Sequence, residues 1–291
     1  MVQRDHIVVL AFLIPTLILI FLLFFYPLAS TIWLSLTYST RFEREPKFVG
    51  LENYIRIINT PVFWNITKNS VIWTGVVVLF QFLIGLGTAL LLNQKFKFRS
   101  IARALLIIPW AMPGAIAGYL WKFLFDTILG PINWSLMSIG LLKEPYSWLG
   151  TPSTALWGVI VAAIWKGFPF SMLMYLAALQ SVPKELLDAA KTDGASFFQE
   201  LRYVVIPTIT PVIKITVLLT IIWTFNYFDL VWVMTGGGPE QSSHIFPTYI
   251  YLLGFGWFLF GEASVYAVVD FLILGIFTIL FLRQVTKGWI Y

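Results

Sequence analysis

Apolar runs of about 20 residues, each long enough to cross a hydrocarbon layer of roughly 30 Å as a helix, dominate this chain and constrain what it can become. Hydropathy puts six of them at roughly 7–30, 70–93, 101–125, 153–181, 208–233 and 263–283. A soluble domain of 291 residues would need charges to cover its surface. Here 59% of residues are hydrophobic, only 11% are charged, and mean hydropathy is +0.84. The expected fold class is therefore an all-α integral membrane protein with about six transmembrane helices. The first run follows Arg4, but it is longer than the roughly 7–15 residues of a signal-peptide core and continues into Thr31-Ile32-Trp33-Leu34-Ser35-Leu36, so it reads as an uncleaved anchor.

The basic residues orient the spans. With a cytoplasmic N-terminus, Arg4, then Lys95, Lys97, Arg99 and Arg103, then Lys184, Lys191 and Arg202, then Arg283 and Lys287 all fall on the inner side. The outer loops after the third and fifth spans add only Lys143. The first outer loop, about 39–69, mixes Arg41, Arg44, Lys47, Arg56 and Lys68 with Glu43, Glu45 and Glu52. An even number of spans then puts both termini in the cytoplasm. Within the first outer loop, Leu51, Tyr54, Ile55 and Ile58 recur at helical spacing and predict a short amphipathic helix on the outer rim, where it would meet lipid or an external partner.

Several chemistries are excluded by what the chain lacks. There is no cysteine for disulfide or thiol work, and His6 and His244 lie too far apart in sequence to suggest a metal pair. The net charge of +5 is spread between apolar spans, which suits membrane orientation rather than a nucleic-acid strand. Gly236-Gly237-Gly238-Pro239 is not followed by Gly-Lys-Ser/Thr, so it is no Walker loop, and nucleotide hydrolysis has to reside on another polypeptide. No serine–histidine, paired-carboxylate or metal constellation lies at one membrane depth, which argues against a membrane enzyme.

Between the fourth and fifth spans a polar segment carries dense helix signals. Pro183 suits a first turn with Glu185 close behind, Thr192-Asp193-Gly194 supplies a left-handed stop at Gly194, Ser196 and Gln199 have capping-box spacing, and Pro207 marks an expected bend into the next span. Two short helices are predicted. The pattern Asp188-Ala189-Ala190, Gly194, Val204-x-Ile206-Pro207 resembles the EAA loop of binding-protein-dependent transporter permeases, with aspartate for the usual glutamate. The resemblance extends over nearly the whole chain: FVGLENY at 48–54, IPWAMPG at 108–114, the segment from Trp165 to Phe170, FNYFDL at 225–230 and TGGGP at 235–239 are similar to sugar permeases of the maltose-transporter F type.

That resemblance implies an importer-permease (MetI-like) fold and the transmembrane subunit of an ATP-binding-cassette sugar importer in a prokaryotic cell membrane. It implies a first transmembrane helix and outer loop over 1–69, and a permease core over 70–291 containing the coupling loop at about 182–207. The implied partners are a second related permease, a dimer of ATPase subunits and an extracellular solute-binding protein. No cofactor is expected on this chain, with ATP and Mg on the partner ATPase. The implied coupling residues are Glu185, Asp188, Ala189, Ala190, Gly194 and Pro207. A permease for glycerol phosphate or another small polar solute is the nearest alternative. An ion-coupled secondary transporter is the next, with Asp229 and Asp270 as its deep carboxylates.

Polar residues inside spans are functional candidates because lipid penalises them. In the fourth span Lys166 precedes Phe170 by four residues, beside Gly167 and Pro169, which predicts a weakened helix presenting a cation and a ring on one face. In the fifth, Thr216, Thr220, Trp223 and Tyr227 recur at helical spacing with Thr224 adjacent, and Asn226 and Asp229 follow. Rings beside hydroxyls suit a sugar, whose C–H faces stack while its hydroxyls need directed hydrogen bonds. Ordinary packing would use the same residues, and Lys166 has two other outlets, pairing with Asp229 or snorkelling. The family resemblance points to Lys166, Gly167, Phe170, Trp223, Thr224 and Tyr227 as the substrate pathway.

Overall fold

The computed structural model describes residues 12–40 and 45–286, so Arg4, His6, Arg41, Glu43, Arg44 and Lys287 lie outside the described residues. Helix α1 (Phe12–Ser35) contains a π-helical turn at Phe21–Phe25 and leads into a short antiparallel pair. In that pair β1 (Thr37–Tyr38) and β2 (Lys47–Phe48) match Thr37 to Phe48 and Tyr38 to Lys47. Next come α2 (Glu52–Ile58), α3 (Pro61–Asn93), α4 (Arg99–Ala111), α5 (Gly114–Leu124) and α6 (Pro131–Ser138). The chain continues through α7 (Pro152–Gln180), α8 (Lys184–Thr192), α9 (Phe197–Phe225), α10 (Asp229–Thr235), α11 (Phe246–Tyr251) and α12 (Phe260–Thr286). Five of these, α1, α3, α7, α9 and α12, are long and apolar enough to cross a membrane, and α4 with α5, an apolar pair bent by 97°, brings the number to six if the pair is one span.

Three span expectations need correction. The third span is not one helix, because Met112 takes ψ 135° and Pro113 ψ 142° between α4 and α5. The residue before a proline is pushed out of the helical region, and Pro113 makes Met112 that residue. Conversely, α7 runs unbroken through Gly167 and Pro169, where the sequence predicted a weakened helix. Phe168, Pro169 and Ser171 are buried there, and neighbouring helices support a proline that water would not. The fifth span starts at Phe197 rather than near residue 208, so the expected second short helix is its first turn. A π-helical turn at Leu201–Val205, with the Ile206 N–H bonded to the Leu201 carbonyl, widens the helix just before Pro207, and the helix continues through that proline. The same span ends at Phe225, not near 233.

The chain forms two compact units, 1–63 with 249–273, and 64–248 with 274–291. In the first, buried Asn53 donates from Nδ2 to the carbonyls of Ser35 at 3.0 Å and Thr37 at 2.8 Å, pinning the end of α1 to α2. Its Oδ1 accepts from Arg56, which pairs with Glu262 at 3.1 Å. The face of α2 that is buried is thus Asn53 and Ile57. Leu51, Ile55 and Ile58 of the expected stripe are exposed, and the helix is held by Asn53, by Ile57 and by the Tyr54 hydroxyl 2.6 Å from Ser35 Oγ.

In the second unit two apolar clusters stack along α3 and α7. One gathers Trp73, Val77, Val159, Ile160, Leu230 and Met234. The other gathers Ala89, Met172, Tyr175, Leu176 and Ile209, with Ala102 of α4 and Leu187 of α8 against it. Small residues bring the helices together: a Cβ on Gly85 would fall 2.6 Å from the Ser171 Cβ, and one on Gly167 would overlap the Gln81 amide.

Candidate functional site

Lys166, Gly167, Phe170, Trp223, Thr224 and Tyr227 all line one cavity of about 110 Å³ within the second unit. Helix α7 supplies the first three and α9, with the turn after it, the others. The cavity has an aromatic wall: Phe170 lies edge-on to Trp223 with ring centroids 4.9 Å apart, and Trp110 lies 5.9 Å from Phe170. Trp73, Val77 and Gln81 of α3 form the opposite side. Trp73 is fully buried and its indole N–H donates to the Thr224 carbonyl at 2.8 Å, adding to the Tyr227 N–H that the same carbonyl accepts at 3.1 Å at the end of α9.

Several of these side chains also make packing contacts within the unit. Gly167 lines the cavity, but its missing Cβ is the space into which Gln81 fits, and Gln81 Nε2 donates to the Ala163 carbonyl at 2.9 Å. Thr216 and Thr220 return their hydroxyls to the carbonyls of Val212 and Thr216, at 2.7 and 2.8 Å, as ordinary helix packing predicts. Among the described residues Lys166 has no carboxylate within 4 Å, although the charge of Asp229 bears on it from farther away. Asp229 and Tyr227 instead flank the start of α5: a Cβ on Gly114 would lie 2.9 Å from both the Asp229 Oδ2 and the Tyr227 hydroxyl. The carboxylate therefore stands at the positive end of a helix dipole.

Trp73, Val77, Gln81, Trp110 and Ala163 were not anticipated as cavity residues. A signal existed for three of them. Trp73, Val77 and Gln81 repeat every four residues, and a glutamine inside an apolar span is costly unless something holds it.

The TGGGP segment is a built structure beside this cavity. Gly236 and Gly237 adopt φ of 61° and 85°, and the Gly237 Cα sits where a Cβ would overlap the buried His244 ring. The Ser243 hydroxyl reaches the Gly238 carbonyl at 2.6 Å, and Asn69 of α3 spreads its amide over the carbonyls of Ser242 and His244 at 3.0 and 3.1 Å. Asn65 donates to the Gln241 carbonyl. His244 Nδ1 lies 3.0 Å from the Thr248 hydroxyl, and burial pushes the imidazole down to about 4, so it is neutral at physiological pH.

The segment 183–207 presents α8 with no buried residue. Glu185, Asp188 and Ala189 are exposed, Ala190 half-buried, and Leu187 anchors the helix to the cluster beneath. Pro183 is the N-cap rather than the first helical residue. Gly194 takes φ +78°; its N–H bonds the Lys191 carbonyl and the Ala195 N–H the Ala190 carbonyl, each at 3.0 Å, which is a Schellman stop. The Gln199 Oε1 accepts the Ser196 N–H at 2.8 Å, giving the second start its cap. Phe197 and Phe198 stand exposed beyond it.

A bundle of membrane spans with a partly polar cavity and a rigid, exposed helical segment at one end is the build of a multi-pass transport subunit. Residues 81–288 match the family described as binding-protein-dependent transport system inner membrane component, and the chain belongs to that family. It is 35% identical over 274 residues, 93% of this chain and 91% of the other, to the trehalose/maltose transport system permease protein MalF of Thermococcus litoralis. It is 32% identical over 280 residues, 96% and 90% of the two chains, to the sulfoquinovosyl glycerol transport system permease protein SmoG of Agrobacterium fabrum. The fold matches a bacterial ABC transporter involved in import of the acidic polysaccharide alginate, with a TM-score of 0.83, 22% identity and coverage of 98% and 97%. The importer-permease fold expected from the sequence is the fold observed.

Proposed function

We propose that this chain is the permease subunit through which a sugar, delivered by an extracellular binding protein, crosses the cell membrane under the control of a separate ATPase dimer. The observation that carries the reading is the cavity wall of Trp110, Phe170, Trp223 and Tyr227 beside Thr224, Gln81 and Lys166, at the membrane-spanning core of the second unit. Stacking rings next to hydroxyl and amide groups match the two faces of a sugar. Relatives named for trehalose, maltose and sulfoquinovosyl glycerol support the same class. A second, related permease completes the passage in this reading. The exposed α8, with Glu185, Asp188, Ala189, Ala190 and the Gly194 stop, is the coupling surface for the ATPase, both termini being cytoplasmic.

Trp223→Ala and Tyr227→Ala each remove a stacking surface and are expected to lower uptake about threefold to tenfold, from roughly 0.5–1.5 kcal/mol of ring contact. Binding-protein-stimulated ATP hydrolysis is expected to survive. Unchanged labelled-sugar uptake in both variants would remove the pathway assignment. Lys166 favours a second reading, an anionic sugar derivative, which Lys166→Gln tests by comparing uptake of charged and neutral sugars.

A further inference from the structure

The loop Gln94–Phe98 and the start of α4 interleave cations with apolar rings: Lys95, Phe96, Lys97, Phe98, Arg99, with Ile101 and Arg103 behind them. Phe96, Phe98 and Ile101 are 47%, 64% and 56% exposed, and Lys95 and Lys97 are exposed between them. The segment 95–101 by itself encloses an open groove of about 760 Å³. Both flanking helices, α3 and α4, belong to membrane spans, so the groove sits at the bilayer surface. Its neighbours Leu92 and Ala102 belong to the same apolar cluster as Leu187 of α8, so it lies at the coupling end of the unit.

The local electrostatics are unfavourable as they stand. No Asp or Glu occurs from Gln94 to Arg103, and among the described residues none of the four bases has a carboxylate within 4 Å. Lys97 has only the Phe98 ring, 5.1 Å away. Arg99 opens α4 with no acidic residue in its first turn and no side-chain cap, which opposes the helix dipole. Arg103 stands one turn on from Arg99, a like-charge pair, and its Nε is buried without a partner. Phe98 holds the left-handed φ of 70° that turns its ring outward. A diffuse surplus of positive charge would explain orientation, but not rings held out beside it.

We propose that this groove binds the headgroup of an anionic phospholipid, the phosphodiester lying among Lys95, Lys97 and Arg99 while Phe96, Phe98 and Ile101 enter the acyl layer. One bound phosphodiester relieves the clustered charge and the bare helix start, and the rings lose their exposure to water. The inference rests on the chain spanning a membrane, not on which solute it carries.

The test reconstitutes the purified protein in phosphatidylcholine vesicles containing a minor share of phosphatidylglycerol, extracts it in mild detergent and quantifies retained lipid by mass spectrometry. Wild type is expected to retain phosphatidylglycerol above its share in the vesicle. The triple variant Lys95→Gln, Lys97→Gln, Arg99→Gln is expected to lose about tenfold or more of that enrichment. Phe96→Ser with Phe98→Ser lowers it with all charges kept, and Lys143→Gln, in the loop at the other end of α7, leaves it intact. Lys97→Gln alone, should the triple variant misfold, is expected to cost about fivefold. Equal enrichment in wild type and charge variants overturns the proposal. So does enrichment abolished by excess inorganic phosphate but untouched by the phenylalanine changes, which makes the groove a small-anion site.

Discussion

Gly237 and His244 are the residue pair on which the loop after α10 turns. A side chain at Gly237 faces two penalties, a left-handed φ of 85° and overlap with the His244 ring. Gly237→Ala is expected to destabilise by about 2–5 kcal/mol, from roughly 1–2 for the backbone and 1–3 for overpacking, read as a lower unfolding temperature in detergent. His244 adds a pH dependence. Its ordinary value is 6.5 and burial lowers it to about 4, so between these pH values the unfolded chain binds a proton that the folded chain refuses. Stability is therefore lost as pH falls from 6.5 toward 4, and His244→Gln is expected to flatten that slope; an unchanged slope would assign acid lability elsewhere. Of the six residues that the family resemblance pointed to, all of which line the cavity, Lys166, Phe170, Trp223, Thr224 and Tyr227 were also readable as polar and aromatic side chains in apolar spans. Trp110 did not stand out, since a tryptophan in a membrane helix is ordinary and only tertiary packing turns it toward the cavity.

At the scale of elements, α8 is stabilised by its ends more than by its contacts. The Schellman stop at Gly194 closes it, and Leu187 is its anchor to the cluster beneath. A Cβ at Gly194 meets nothing within 4 Å, so Gly194→Val is penalised through the backbone alone, by about 1–2 kcal/mol and more for a branched chain. Since membrane insertion does not depend on this segment, the variant is expected to insert normally and to lose ATPase association and sugar uptake together. Asp188→Lys reverses an exposed charge on the same helix and leaves the backbone alone. Its expected result is the same loss of association with the helix intact. Wild-type copurification of the ATPase with Gly194→Val would make the segment a connector. Caps, stops and apolar runs were legible because they are local. The unbroken passage of α7 through Pro169 and the widened turn before Pro207 were not, because neighbouring helices decide whether a proline disrupts its helix or is absorbed.

The whole molecule is built to be completed by others. Every large apolar side chain from Phe12 to Tyr26 of α1 is exposed, a surface that only lipid or another membrane helix can cover. Helix α8 buries none of its residues, and Leu186, Phe197 and Phe198 are exposed on and beside it. The Gly-rich turn that superficially resembles a nucleotide loop is filled by its own His244 ring and by hydrogen bonds from Ser243 and Asn69, which leaves no cradle for a phosphate. Purified chain is therefore expected to hydrolyse no ATP by itself. Uptake is expected only when it is reconstituted with two ATPase subunits, a second related permease and the binding protein. Omitting the second permease is the informative arm, since on the proposed reading it removes half of the passage and leaves the ATPase contact of this chain in place. ATP hydrolysis by the isolated chain, or sugar uptake without the second permease, would each contradict this division of labour.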